Sequence, residues 1–260
     1  MFIVFLGKNQ YNETKKKGGV AVSYQAVFKR YELKYLLDFG QKQKLLDAME
    51  PFMALDAYGR TTIRNVYYDT ENYRLIRHSI EKPAYKEKLR LRSYSRAESN
   101  EAVFVELKKK YDSVVYKRRL SMLESQAAEW LQGTGCYVPD SQISREIDYF
   151  RRFYETLHPT IFLSYEREAY FAKGGSDFRV TFDDTILCRE TELTLDAPVY
   201  GRPLLDEGKV LMEIKCSGGV PLWMTAVLSK EKIYKTSFSK YGTAYQTVIF
   251  PRLKEEAIHA

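Results

Sequence analysis

The stretch Tyr85-Lys86-Glu87-Lys88-Leu89-Arg90-Leu91-Arg92-Ser93-Tyr94 constrains the fold more than any other part of the chain. In an extended strand, side chains at i, i+2 and i+4 share a face. Lys86, Lys88, Arg90 and Arg92 therefore stand on one face, with Leu89 and Leu91 on the other. The pattern recurs. Val103, Val105 and Leu107 oppose Phe104, Glu106 and Lys108, while Lys117 and Arg119 share a face with Val115. Arg179, Thr181 and Asp183 oppose Phe178, Val180 and Phe182. Leu211, Glu213 and Lys215 oppose Val210, Met212 and Ile214.

One such strand has an ordinary reading, apolar face to the core and charged face to water. Five of them, mostly cationic with single carboxylates interspersed, point to a sheet closed on itself. The charged faces would point inward, and the apolar faces outward under a cover of helices. An interior of this kind needs a polyanion and a metal, because unpaired buried cations are costly. A net charge of +7 makes a polyanion a plausible partner but does not choose among nucleic acid, membrane surface, nucleotide and polyphosphate.

The remaining signals fit an antiparallel α+β domain. Strands are expected at 28–35, 61–69, 84–94, 101–110, 113–121, 160–171, 178–187 and 208–216. Asp38 should cap a helix over 39–50, which Pro51 ends. A helix over 122–132 should stop at Gly133. Asp140 or Ser141 should cap a second, amphipathic helix carrying Ile143, Ile147, Phe150 and Tyr154. A last helix is expected over 221–232, with Pro221 in its first turn. No linker divides the chain, so residues 1–23 read as a flexible leader, 24–250 as a single domain and 251–260 as a C-terminal tail. No apolar run reaches 18 residues, and Phe2–Leu6 is too short for a signal-peptide core. Cys136, Cys188 and Cys216 are odd in number and widely spaced, which argues against a zinc site or disulfide framework and for a cytoplasmic, reducing location. His78, His158 and His259 are too scattered for a histidine-based metal site.

The ordered motifs resemble the VTC (vacuolar transporter chaperone) polyphosphate polymerase domain of the triphosphate tunnel metalloenzyme superfamily. They are Arg30–Tyr35, Val66–Thr70, Lys88–Tyr94, Val105–Lys108, Tyr116–Arg119, Ser164–Arg167, Arg179–Asp183, Leu211–Lys215 and Ser237–Tyr241, spanning about 28–245. The resemblance implies an antiparallel β-barrel, the triphosphate tunnel, with flanking helices. It implies binding of ATP and polyphosphate together with Mn²⁺ or Mg²⁺. The polymerase members transfer the γ-phosphoryl of ATP to a growing polyphosphate chain and release ADP. The chain departs from the cyclase and triphosphatase branch, whose E-x-E-x-K signature reads here Arg30-x-Glu32-x-Lys34. It carries no membrane-spanning or phosphate-sensing regions, so a membrane-protein partner would have to come from outside this sequence.

By this resemblance Arg90, Arg92, Arg167, Arg179 and Lys215 are candidate catalytic residues, since Arg forks bind phosphate bidentately. Lys34, Lys88, Lys108, Lys117, Arg119, Lys240 and Ser237 are candidate substrate-binding residues. Lys108 lies in the run Lys108-Lys109-Lys110 and has a solvent-exposed reading as well. Glu213 and then Glu106 are the candidate metal ligands, a hard cation preferring oxygen. Each has salt-bridge partnering as its alternative. Glu32 and Asp183 are expected to organise neighbouring cations. Tyr31, Tyr35 and Tyr165 have packing as their first reading, with support of adenine or lining of the tunnel mouth as alternatives. A triphosphate or polyphosphate hydrolase, and a non-catalytic polyphosphate-binding module, remain competing readings. Nucleic acid is not expected, because cations and aromatics do not interleave on one face.

Overall fold

The computed structural model describes residues 31–112, 114–135 and 138–259. The expected leader, Arg30 and Cys136 lie outside the described residues. The first strand, β1 (Tyr31–Asp38), runs directly into α1 (Phe39–Met49). Asp38 accepts a hydrogen bond from the Gln41 amide, and the Gln41 side chain accepts one from the Asp38 amide. This reciprocal cap satisfies donors that the first helical turn leaves free. Then come β2 (Met53–Leu55), β3 (Thr61–Asp69), α2 (Arg74–Ile80) and the meander β4 (Tyr85–Ser93), β5 (Ala102–Tyr111) and β6 (Val114–Leu123). The next helix, α3 (Glu124–Gln132), stops at Gly133, whose φ of +81° suits a residue without a Cβ. Ser141 caps α4 (Gln142–Tyr154). Two long strands, β7 (His158–Ala172) and β8 (Arg179–Arg189), precede β9 (Arg202–Pro203), β10 (Lys209–Cys216), α5 (Leu222–Lys230) and β11 (Lys235–Thr236). In α5, Pro221 stands at the capping position just before the helix. Finally α6 (Lys240–Ala244), a π-helical turn over Tyr245–Ile249 and α7 (Phe250–His259) follow without a break. The expected tail from residue 251 is thus helical.

The strands form one antiparallel sheet in the order β11-β1-β10-β8-β7-β3-β4-β5-β6, with β2 on β7 and β9 on β8. The expected closure into a hydrogen-bonded barrel is not found: among the described residues no ladder joins β6 to β1 or β11. The reason is local. One edge of β1 is taken by β10, and β11 pairs on the other at Lys34–Thr236 and Tyr35–Lys235. The sheet nevertheless curls far enough for its two ends to meet through side chains. Lys108 of β5 lies 2.9 Å from Glu32 of β1, although five strands separate them in the sheet order.

Strand alternation sorts the core into three clusters. On the outer face, Leu89, Leu91, Val103, Val105 and Leu107 pack under Trp130 and Leu131 of α3 and Ile147 and Phe150 of α4. Leu37, Val180, Phe182, Val210, Met212 and Ile214 pack under Leu45 and Met49 of α1 and Met224 and Leu228 of α5. Full burial of side chains like these contributes about 1.5–3 kcal/mol each. The third cluster lies on the charged side. Ile63, Tyr67, Leu163, Ile186 and Leu211 meet Tyr241, Ala244, Tyr245 and Ile249. Leu211 shares its face with Glu213, and Tyr67 stands opposite Arg90, so the C-terminal helical segment packs inside the curl. Asp69 fastens it there. Its carboxylate accepts from the Leu75 and Ile76 amides of α2 and, at 2.8 Å, from the Tyr241 hydroxyl.

Candidate functional site

The inner surface is built from cross-strand rungs. Arg90, Glu106 and Arg119 stand directly opposite one another across β4, β5 and β6. The next rung is Lys88, Lys108 and Lys117, and beyond it Lys86 faces Lys110. Directly opposed like charges destabilise a ladder, so a rung of three lysines calls for an anion. Alternation resolves the lysine run: Lys108 points inward to Glu32, while Lys109 points outward, 3.8 Å from Glu146 of α4.

Glu106 is 1% exposed and is the hub of this wall. Its Oε2 accepts from Arg90 Nε and Nη2 at 3.0 and 2.7 Å. Its Oε1 accepts from Arg119 Nε at 2.7 Å and lies 2.7 Å from Lys117 Nζ. A carboxylate has about four lone-pair sites, and here cations take them. Burial alone would raise the pKa of Glu106, but Arg90, Arg92, Lys117 and Arg119 hold it well below the usual carboxylate range.

Asp183, fully buried on β8, is the second hub. Arg167 on the paired strand β7 donates to both its oxygens at 2.6 and 2.7 Å, and Lys240 at the start of α6 adds a third bond. Despite burial, Arg167 and Lys240 bring Asp183 down to about 2. Tyr165 sits beside this hub. Its ring lies 5.0 Å from the Arg167 guanidinium and 4.2 Å from Lys240 Nζ, and its hydroxyl accepts from Arg92 at 2.8 Å.

The third group joins β1, β4 and β10. Lys34 donates to the Phe238 carbonyl at 2.6 Å, and Lys88 to the Ser239 hydroxyl at 3.0 Å. Neither is an anionic partner. Burial, with Lys240 and Lys108 outweighing part of the help from Glu213, pushes Lys34 down to about 8. Burial and the neighbouring Lys34, Lys86, Lys108 and Arg90 push Lys88 down to about 7. Glu213 is nearly buried, and among the described residues its closest cation is Lys215 at 3.5 Å. Burial opposes its ionisation, but Lys215, Lys34, Lys108 and Lys240 hold it well below the usual range. An ionised carboxylate with oxygens not filled by close donors suits a hard divalent cation. Among the described residues no three His, Cys, Asp or Glu side chains gather. A cation held by Glu213, with Glu32 close by, would take its remaining ligands from water and phosphate, as Mg²⁺ commonly does.

Lys88 gives the apo protein a definite pH dependence. Its proton is bound in the unfolded chain up to about 10.5 but released in the folded protein above about 7. Between these values the unfolded chain binds more protons, so stability rises with pH. The cost of the buried cation is greatest below pH 7 and is relieved as pH climbs. The apo melting temperature, followed by calorimetry, is expected to rise from neutral toward alkaline pH. Saturating tripolyphosphate should suppress the rise and be accompanied by proton uptake above neutrality. A melting temperature that falls over this window without ligand would contradict the buried-cation account.

Most of the expected site residues meet on this surface: Lys34, Lys88, Arg90, Arg92, Lys108, Lys117, Arg119, Arg167, Lys215, Lys240, Glu106 and Glu213. Arg179 stands opposite Lys215 but is exposed at the rim. Ser237 is exposed, and Ser239 two residues on makes the lysine contact. The candidate site residues leave out Asn65, which fixes Arg92 at 2.8 Å, and Tyr67 of the Val66–Thr70 motif, whose hydroxyl accepts from Arg90 at 2.9 Å. The alternation of β3 places both on the inner face, and that signal was available in the Ile63-x-Asn65-x-Tyr67 spacing.

A candidate adenylate cyclase from Bacillus halodurans superposes with a TM-score of 0.53 at 13% identity, covering 83% of this chain and 96% of that one. This likeness shows the fold alone. A candidate adenylate cyclase from Vibrio parahaemolyticus aligns at 12% identity, TM-score 0.48, over 84% of this chain and 98% of its own. A candidate adenylyl cyclase from Hippeastrum with a dominant triphosphatase activity aligns at 16% identity, TM-score 0.47, over 83% and 94%. No curated protein matches the sequence. No helix among the described residues is long and apolar enough to cross a membrane. The family model of the VTC domain matches residues 29–249, the stretch that builds this cation-lined surface, and the chain belongs to the VTC domain family.

Proposed function

We propose that the inner surface binds the phosphates of ATP and of a polyphosphate chain, and that the protein is a metal-dependent polyphosphate polymerase. The observation that carries this reading is the rung Lys88–Lys108–Lys117 with Lys34 beside it. Two of these lysines, Lys34 and Lys88, have neutral hydrogen-bond partners and a weakened hold on their protons. A phosphate chain supplies the missing anions at a regular spacing.

Phosphoryl transfer depends mainly on positioning and charge neutralisation. Arg90 and Arg119 are braced by Glu106, and Arg167 and Lys240 by Asp183, so their donors are ordered before substrate arrives. The terminal oxygen of the acceptor chain attacks the γ-phosphorus of ATP. The bond to the ADP oxygen breaks, ADP leaves, and the chain is longer by one phosphate. That nucleophile is already ionised, so no strong general base is required. Glu213 is the residue that would hold Mn²⁺ or Mg²⁺, which supplies further neutralisation of the phosphate oxygens. Glu106 serves to organise arginines, its lone pairs being taken.

The purified protein incubated with ATP and Mn²⁺ should produce ADP and chains that stain for polyphosphate on a gel. ADP with an equal amount of free phosphate would instead establish a hydrolase on the same surface. Tight polyphosphate binding without turnover would leave a binding module.

A further inference from the structure

Tyr165 is 3% exposed, yet its hydroxyl is only half accounted for. The oxygen accepts from Arg92 Nη2 at 2.8 Å. Arg92 cannot swing away, because its Nε donates to Asn65 Oδ1 at 2.8 Å and Asn65 in turn donates to the Leu163 carbonyl at 3.0 Å. The hydroxyl proton must therefore point away from the guanidinium. Among the described residues no hydrogen bond takes it up. Buried hydroxyls are rarely left so. The charged groups facing it are Arg92 and Arg90 from β4, Arg167 from β7, Lys240 from α6 and Asp183 from β8. Four cations against one carboxylate, already engaged by Arg167 and Lys240, make this a place for an anion.

We propose that the Tyr165 hydroxyl donates a hydrogen bond to the bound phosphate chain, at the same phosphate group that Arg92, Arg167 and Lys240 neutralise. This rests on the phosphate-binding reading above and adds a neutral donor that senses protonation. Burial would raise the phenol, but Arg92, Arg167 and Lys240 outweigh it and bring it down to about 8. Below that pH the hydroxyl donates. Above it, a phenolate can no longer donate and repels phosphate, while bound phosphate should keep the proton on.

The test uses the whole chain and tripolyphosphate without added metal. The near-ultraviolet phenolate absorbance of wild type minus Tyr165→Phe should show one step near pH 8. Saturating tripolyphosphate should move that step upward. At neutral pH, Tyr165→Phe should bind tripolyphosphate roughly ten-fold more weakly, the usual size of a hydrogen bond to a charged group. Its affinity should also fall less steeply than wild type's through the step. A step that ignores tripolyphosphate, or equal affinity in the variant, overturns the assignment. If the variant fails to fold, the wild-type titration with and without tripolyphosphate decides alone. A wild type that does not bind tripolyphosphate at all overturns the phosphate reading itself, and this inference with it.

Discussion

Replacing Glu106 with glutamine is expected to cost the apo fold about 3 kcal/mol or more, the lower part of the range for removing one member of a buried ion pair. The carboxylate is 1% exposed and joins β4, β5 and β6 through Arg90, Arg119 and Lys117. Glutamine keeps the volume and can still accept hydrogen bonds, but it leaves those cations without a countercharge. The side chains of Lys117 and Arg119 are 40% and 30% exposed, so water relieves part of the cost, which is why the lower end applies. The loss should also be conditional. Tripolyphosphate brings anions to the same cations and should raise the urea midpoint of Glu106→Gln more than that of wild type. Urea unfolding with and without tripolyphosphate measures both quantities. A loss below about 1 kcal/mol would mean that the cations are hydrated independently and that Glu106 is no hub.

That hub was only partly legible in the sequence, and the division is physical. Features set by local geometry could be read directly. The alternation of Lys86, Lys88, Arg90 and Arg92 against Leu89 and Leu91 fixes one face of β4. Asp38, Ser141 and Gly133 mark helix ends because capping involves residues three or four apart. Features set by distant contacts could not. Whether the sheet closes depends on which strand takes the second edge of β1, and β11 is two residues long, too short to announce itself. Asp69 reads as the end of a strand, yet its partner Tyr241 lies 172 positions away. The short helix α2 carries no side-chain cap at Tyr73, whose backbone is left-handed, so the usual start signal is absent. Glu106 and Glu213 look alike as single carboxylates in cationic strands. What separates them is how many nitrogens stand against each, and that follows from β6 pairing alongside β5 and from the curl that brings Lys108 to Glu32.

Substitution of Glu213 by glutamine should therefore differ from that of Glu106, costing the fold less, because no close donors are left without their acceptor, while removing the chemistry. Glu213 has one ion pair among the described residues, at 3.5 Å, so little direct bonding is lost. What disappears is the negative charge that burial resists and Lys215, Lys34, Lys108 and Lys240 maintain. If that charge holds the metal, metal-dependent turnover should drop by roughly 10²–10³-fold, the scale of losing one electrostatic contributor to a transition state. Mn²⁺ bound to the protein–tripolyphosphate complex, observed by electron paramagnetic resonance, should fall with it. Binding of tripolyphosphate without metal should instead tighten, since one like charge has left a cationic surface. These three directions separate a metal ligand from an organiser of lysines. An organiser would lose metal-free phosphate affinity as its lysines shifted, and would keep its Mn²⁺ signal. Turnover in Glu213→Gln within about two-fold of wild type, well under the step expected above, would remove Glu213 from the metal site.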